Sequence, residues 1–260
     1  MSDGTPVGTG AQEGGALDSP PGPVGQFSAT ALSRAFRVFG EPAEVFRELS
    51  TSPTWAWALL LLILVSFGLS MLIAPKIDFE ATIRKGIEDR GSQAQQLTDE
   101  QISRIAETQR KVASVMRYAS PATVSLVFLL LGGAYFLGLK AAGSEVEYTP
   151  VFSAVVHATL PASLVSGALM VVMASQRDSF PAQEMERLLK TSVGAWLDPA
   201  TPKALLTVAN SLDIFNLWQW ILLTVGLAIV GKVSRSRSAL VVAVLWGIWV
   251  AGRAAISSFF

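Results

Sequence analysis

Five long apolar runs, separated by polar connections, contain most of the hydrophobic positions in this chain. They cover approximately residues 55–73, 122–139, 151–173, 214–230 and 239–259. A helix that crosses the hydrocarbon core of a bilayer needs about 20 mostly apolar residues, each of which adds about 1.5 Å. The fourth run reaches that length only if its helix begins near Asp213. The pattern predicts an all-α fold, a polytopic membrane helix bundle with five transmembrane helices.

The segment before the first run is amphipathic. Apolar and charged residues share positions 28–50 at mostly helical spacing, and Gly40 and Pro42 divide the segment into two short predicted helices. An amphipathic helix next to a spanning segment favours a position in the membrane interface. Packing on the protein's own loops is the alternative interpretation.

Two of the polar connections also contain predicted amphipathic helices. Thr98 and Gln101 have the spacing of a capping box, and the residues after them place one apolar stripe among charged positions up to Arg117. Pro181 and Thr201 mark the starts of two further helices between the third and fourth runs. We expect these helices to lie over the bundle or on the lipid surface. The pattern leaves open whether the later two are interfacial or re-entrant.

Small side chains recur every fourth residue in two of the runs. They are Ala154, Ala158 and Ala162 in the third run, and Ala239, Ala243, Gly247 and Ala251 in the fifth. Such stripes let helix backbones approach closely, and close approach is how helices associate in lipid. We predict that both stripes are helix-packing ridges, each used against another helix of this bundle.

Composition separates a membrane domain from a polar tail. The chain has 260 residues, of which 51% are hydrophobic and 15% charged, whereas about 25% are charged in soluble domains. Residues 1–27 are rich in Gly, Pro and small polar residues, so we expect a disordered tail there and a membrane domain over 28–260. The net charge of zero gives no field that would attract nucleic acid. The expected partners are the lipid bilayer and other membrane proteins or a second copy.

The residues that support most catalytic and metal chemistry are absent or scarce. The chain contains no cysteine and one histidine, which excludes disulfides, thiol nucleophiles and most zinc sites. The phosphate-binding loop motif, the HExxH zinc motif and the GxSxG nucleophile elbow do not occur. We therefore expect no enzymatic activity, no cofactor and no bound metal.

Two ionisable side chains lie within the apolar runs. His157 precedes Pro161 by four residues, and the proline cannot donate the amide hydrogen that would bond the carbonyl of residue 157. An imidazole beside a freed carbonyl and a kink could serve a proton or ligand path. Packing or an interhelical hydrogen bond is the simpler interpretation. Arg253 lies close enough to the end of the last run for its guanidinium to reach the interface.

A polar entry opens the fourth run. Asp213 is placed to cap the helix by accepting a hydrogen bond from the amide of Phe215 or Asn216. Asn216 and Gln219 extend the polar positions into the run. A polar path near His157 and Asp213 would suit a small membrane transporter or channel.

Together these segments resemble the Yip (Ypt-interacting protein) family of five-span integral membrane proteins, in particular its bacterial branch. The resemblance covers about residues 30–258. It rests on four stretches: the lead-in FGEPAEVFRELSTSP, the charged helix TDEQISRIAETQRKV, YTPVFSAVVHATLPASL in the third run, and the C-terminal SLDIFNLWQWILLTVGLAIVGKVSRSRSALVVAVLWGIW.

For eukaryotic members, the resemblance implies a cytosolic N-terminus, work in early secretory membranes, and contacts with small GTPases and partner membrane proteins. STSPTW stands where those members carry an acidic DLYGP-like motif. This difference puts small-GTPase binding in doubt and favours the cytoplasmic membrane of a bacterium. The loop charges leave the orientation open, because the overall count of Lys and Arg favours an external N-terminus, whereas the short basic turn with Lys232, Arg235 and Arg237 favours an internal one. The cytosolic N-terminus that the resemblance implies leads us to expect the N-terminus inside. The expected function is that of a non-enzymatic membrane protein that organises partner proteins or membrane shape, with a transporter or channel as the alternative.

Overall fold

The computed structural model describes residues 25–90, 97–198 and 201–259. The predicted disordered tail lies outside these ranges except for its last three residues. The α-helices of the described residues are α1 Ala29–Arg37, α2 Pro42–Thr51, α3 Ala56–Ile73, α4 Phe79–Arg90, α5 Asp99–Ala141, α6 Tyr148–Ser175, α7 Lys203–Ser211, α8 Ile214–Val230 and α9 Arg235–Phe259. The prediction of an all-helical membrane bundle is confirmed.

Within the ranges that the structure describes, four helices are long and apolar enough to cross a membrane, namely α3, α5, α6 and α9. The fourth predicted span, α8, has 17 residues, which corresponds to about 25 Å at 1.5 Å per residue. It is therefore shorter than the hydrocarbon core of a typical bilayer, which is about 30 Å thick.

Helix α6 lies at the centre of the bundle and packs against α3, α5 and α8. Its small-residue ridge of Ala154, Ala158 and Ala162 is buried. Leu139 of α5 and Leu223 of α8 belong to the same apolar cluster as Ala154 and Ala158. The ridge therefore lies where neighbouring helices meet α6.

The small-residue ridge of α9 has the opposite placement. Ala239, Ala243 and Ala251 are exposed, and a Cβ added at Gly247 would meet no atom within 4 Å. Helix α9 instead turns a face that includes Val242 toward the bundle. The expectation that the α9 ridge packs within this bundle therefore does not hold, because larger side chains of α9 occupy that contact.

The predicted amphipathic helix after Thr98 is the first half of α5, continuous with the second span. The predicted capping box of Thr98 and Gln101 is confirmed at its start. Pro121 lies inside the helix without ending it, because spanning helices tolerate proline where neighbouring groups compensate for the lost backbone bond. The first half of α5 also packs beside α4, where Arg84 pairs with Asp99 at 2.8 Å.

Helices α7 and α8 follow one another along α9, which runs in the opposite direction. The Ser238 hydroxyl of α9 donates to the Thr224 carbonyl of α8 at 2.8 Å. Further along α9, Ser257 lies 3.2 Å from the hydroxyl of Thr207 in α7. The two helices therefore form one discontinuous element with a break at residues 212–213.

The helix predicted from Pro181 is wrong, since that segment contains two short 3-10 turns, Ala182–Arg187 and Val193–Trp196. Backbone groups here bond across to other elements instead of along a helix. The Phe180 amide donates to the Lys76 carbonyl, and the Val193 amide donates to the Leu212 carbonyl. The second of these contacts brings the loop against the break between α7 and α8.

Candidate functional site

Helices α1 and α2 form an antiparallel hairpin joined by a buried arginine. Arg34 is only 5% exposed, and its Nε donates to Glu48 Oε2 at 2.7 Å. Its Nη1 donates to the Ser52 carbonyl at 2.9 Å and reaches the Thr54 hydroxyl at 3.4 Å. A buried guanidinium needs such partners to offset its loss of hydration. Arg34 therefore fixes the end of α2 and the start of α3 to α1.

Glu48 accepts a second charged hydrogen bond, from Nη1 of Arg37 at 2.8 Å. Burial by itself would raise the pKa of this carboxyl. Hydrogen bonds from Arg34 and Arg37, together with their charges, outweigh burial and hold the pKa below its ordinary value of 4.5. Glu48 is therefore a carboxylate across the physiological range.

We expect the hairpin to loosen in acid. A carboxyl whose pKa is lowered by folding contributes stability above its unfolded pKa, and this contribution is lost as the pH falls through the folded value. The thermal midpoint should therefore fall as the pH drops below 4.5. In Glu48→Gln it should be lower at neutral pH and less sensitive to acid. Glu44→Gln, at an exposed position of the same helix, is the control, and an equal response from both variants would contradict the account.

Helix α2 runs alongside α8 in the same direction. The ring of Phe39, just before α2, lies 6.2 Å from that of Trp218. One turn into α2, Phe46 packs on Gly226, since a Cβ there would lie 2.9 Å from two of its ring carbons. The contact of Phe39 with Trp218 is followed by that of Phe46 with Gly226, so residue numbers increase in the same direction along both helices. The hairpin therefore runs along α8 instead of crossing it.

The apolar residues of α2 face the protein. Val45, Phe46 and Leu49 are fully buried in the cluster formed by α5, α6 and α8. Of the two interpretations of α2, the structure therefore favours packing of its apolar face on the protein over burial of that face in lipid. Its apolar stripe fits a protein groove as well as it would fit lipid, and Gly226 provides the space for the phenylalanine ring.

His157 lies in the core of α6 and is 1% exposed. Its Nδ1 donates to the Ser153 carbonyl at 2.8 Å, which fixes the proton on Nδ1. Its Nε2 has no hydrogen-bond partner within the described residues. Pro161 is buried one turn later, and α6 continues through it to Ser175.

Gln219 of α8 makes a hydrogen bond to a face of α6 other than the one that carries His157. Its Nε2 donates to the Thr159 hydroxyl at 3.0 Å, and that hydroxyl donates to the Val155 carbonyl at 2.9 Å. Residues two apart on a helix point about 200° away from each other. The structure therefore brings Gln219 to Thr159 and turns His157 to another face of α6.

Asp213 lies at the break between α7 and α8. Its carboxylate accepts from the amide of Phe215 at 2.7 Å, which confirms the predicted cap, and from the hydroxyl of Thr191 in the preceding loop. Asn216 donates from Nδ2 to the Ser211 carbonyl at 3.1 Å. These side chains bond backbone and loop groups that the break leaves without helical partners.

At Gly194, the loop before α7 packs tightly against the break between α7 and α8. A Cβ at Gly194 would lie 2.0 Å from Oδ1 of Asn210 and 2.8 Å from its backbone nitrogen. Gly194→Ala should lower the free energy of unfolding by about 1–3 kcal/mol, as overpacking typically does. Gly68→Ala, with nothing within 4 Å of the new Cβ, is the matched control. Chemical unfolding in detergent measures both, and equal stability would contradict the packing.

The remaining candidate, Arg253, is exposed near the end of α9 and is distant in sequence from the polar residues of α6.

The residues that the sequence did not single out are Arg34, Glu48 and Thr159. Arg34 and Glu48 are 14 positions apart on different helices, so no helical spacing indicates their pairing. Thr159 is one of several hydroxyl residues in its span, and only the crossing of α8 selects it.

No group of three or more His, Asp or Glu residues within the described ranges could hold a metal ion.

Comparison with known proteins identifies the family of this chain. No curated protein and no solved structure matches the chain. A family model described as the Yip1 domain matches residues 36–256, a range that includes α2 through most of α9. Because this match covers most of the chain and agrees with a helical membrane bundle, the chain belongs to the Yip1-domain family of membrane proteins.

Proposed function

We propose that this Yip-family protein is a non-enzymatic membrane organiser that holds partner proteins or shapes the bilayer through its N-terminal hairpin. The observation that carries the proposal is the two-sided construction of the hairpin. Its inner face is fixed by Arg34 and Phe46, both buried. Its outer face presents Phe36, which is 56% exposed, and Phe27, just before α1, is 64% exposed.

The outer surface of the hairpin has the composition of an interaction surface. Besides the exposed ring of Phe36, the hairpin carries exposed ion pairs of Arg37 with Glu41 and of Arg47 with Glu44. Aromatic side chains and arginine are enriched in protein interfaces, and aromatic side chains are also enriched where a protein meets lipid headgroups. A fixed hairpin would present these groups in one orientation.

The polar groups of the spanning core support a structural role over catalysis. Gln219 bonds Thr159, Asn216 bonds a backbone carbonyl, and Asp213 caps α8. A catalytic site needs a nucleophile or base facing a space that substrate can enter. These side chains are instead used in bonds between protein groups.

The proposed setting is the cytoplasmic membrane of a bacterium, with α7 and α8 together forming one of five spans. Five crossings place the α8–α9 turn on the same side as the N-terminus. That turn contains Lys232, Arg235 and Arg237. Basic residues in short loops favour the inside, which supports an internal N-terminus.

Crosslinking followed by affinity purification from native membranes tests the organiser. We expect wild-type protein to recover a reproducible set of membrane proteins, or its deletion to change membrane shape or composition. Phe36→Ser should lose these effects. Tyr118→Ser, at an exposed aromatic residue of α5, should retain them. Recovery of the isolated protein only, with an unchanged membrane on deletion, would overturn the proposal.

A small transporter or channel is the second candidate, favoured by the discontinuous element of α7 and α8. Broken helices form ion and substrate sites in many transporters because their exposed backbone groups line the break. Ion or solute flux in proteoliposomes, lost in Asp213→Asn, would support this candidate. Absence of flux would remove it.

A further inference from the structure

A cavity of about 560 Å³ lies where the α5–α6 loop meets the α8–α9 turn. The charged side chains that line it are Glu145, Glu147 and Lys232, and Ser50 of α2 forms part of its wall. The cavity belongs neither to the polar groups of the spanning core nor to the outer face of the hairpin. A ligand bound in this cavity would therefore have a role separate from the organiser function.

The walls of the cavity are held in place by the ends of two helices. Gly143 after α5 and Lys232 after α8 both have positive φ, at 86° and 51°. After α8, the Lys232 amide donates to the Ile229 carbonyl and the Val233 amide to the Ala228 carbonyl, the bonding pattern of a Schellman motif. A lysine held in this left-handed conformation has its backbone fixed at an energetic cost.

A buried serine joins the two walls. The Ser144 hydroxyl donates to the Gly231 carbonyl at 2.6 Å and accepts from the Val146 amide at 3.2 Å. The loop with the two glutamates and the turn with Lys232 are therefore tied together at their base. The cavity is formed before any ligand arrives.

The three charged side chains are unpaired. Within the described residues, neither Glu145, Glu147 nor Lys232 makes a salt bridge or a side-chain hydrogen bond, although both signs line one cavity. The carboxylates suit an ammonium group, and Lys232 suits a phosphate. The C-terminal ends of α5 and α8 add partial negative charge, which favours the ammonium. Arg235 and Arg237, exposed next to Lys232, add positive charge for the phosphate.

We propose that this cavity binds a zwitterionic phosphoamine, a phosphate joined by a short linker to an ammonium group. The position of the cavity at the ends of apolar helices favours a lipid headgroup as the source of this phosphoamine. Leu137 of α5 and Leu240 of α9 are both more than 60% exposed just below it. Close packing of Gly138 on Val241 joins these two helices, so acyl chains would run along their outer surface.

The test is lipid retention by the full chain, measured by mass spectrometry after purification from nanodiscs. The nanodiscs contain equal amounts of phosphatidylethanolamine and phosphatidylglycerol, and free phosphoethanolamine is the competitor. The variants are the double substitution Glu145→Gln with Glu147→Gln, and separately Lys232→Asn, since asparagine tolerates positive φ. Glu107→Gln and Lys140→Gln, at exposed charges outside the cavity lining, are the matched controls.

Wild type and both controls should retain phosphatidylethanolamine about tenfold over phosphatidylglycerol, the effect of one well-formed charged contact. The double glutamine variant should lose that preference, and Lys232→Asn should weaken retention of both lipids. Displacement by free phosphoethanolamine would show that the headgroup suffices and that a soluble source is possible, whereas resistance would assign the site to the lipid. Equal retention of the two lipids by wild type, or unchanged retention by both folded variants, would overturn the proposal.

Discussion

Phe46→Ala should lower the free energy of unfolding by about 3–5 kcal/mol, the usual cost of removing a buried phenylalanine ring. Phe46 is fully buried between α2 and α8, with its ring on Gly226. Phe36→Ala in the same hairpin is the matched control, because that ring is 56% exposed and surface changes usually stay within about 0.5 kcal/mol. Unfolding in detergent measures both variants. Equal effects would contradict the docked hairpin.

Coupling between Phe46 and Gly226 makes this prediction specific to the contact. Gly226→Ala should destabilise the wild type, because the new Cβ would lie 2.9 Å from the ring. In the Phe46→Ala background the same change should cost little, since the ring is gone. A double-mutant cycle measures this difference, and residues in direct contact typically give about 0.5–3 kcal/mol. Strict additivity would show that the two residues do not touch.

Arg34→Met should destabilise the protein by about 3 kcal/mol, in the range for breaking a buried ion pair. The change leaves Glu48 with only Arg37, and it removes the donor to the Ser52 carbonyl. Arg47→Met is the matched control. Its pair with Glu44 is exposed on both sides and is expected to contribute less than about 1 kcal/mol. An equal loss in both variants would mean that Arg34 acts as an ordinary surface charge.

Four of the five predicted spans and the helix caps could be predicted from the sequence because their signals are local. The first run, 55–73, contains no charged residue, and α3 occupies Ala56–Ile73. The cap at Asp213 and the capping box at Thr98 each depend on residues at most three positions apart. Such features need no knowledge of the neighbouring helices.

The misplaced elements are those whose position depends on a partner. Amphipathicity indicates that α2 has an apolar face but not whether lipid or protein covers it. The α9 ridge has the spacing of a packing surface, yet the structure turns it outward. Pro121 marks a boundary in the sequence, and the neighbouring turns carry α5 through it. For α2 and α9 a tertiary contact decides between arrangements that the local pattern permits equally, whereas at Pro121 the helix itself continues.

The same distinction applies to the candidate site. His157 and Gln219 were recognisable as polar residues in apolar runs, but the pairing of Gln219 with Thr159 depends on how α8 crosses α6. The buried pair of Arg34 and Glu48 depends on the fold of the hairpin. Residue type and spacing identified the polar positions, while the crossings of the helices determined their partners.

Site-specific photocrosslinking in native membranes tests the central claim, a docked hairpin with one inner and one outer face. A photoreactive amino acid replaces either Phe36 or Phe46, whose rings are 56% exposed and fully buried, respectively. The probe at position 36 should capture other membrane proteins or lipid, and the probe at position 46 should capture α8 of the same chain. Capture of external partners from position 46 as readily as from position 36 would contradict the account.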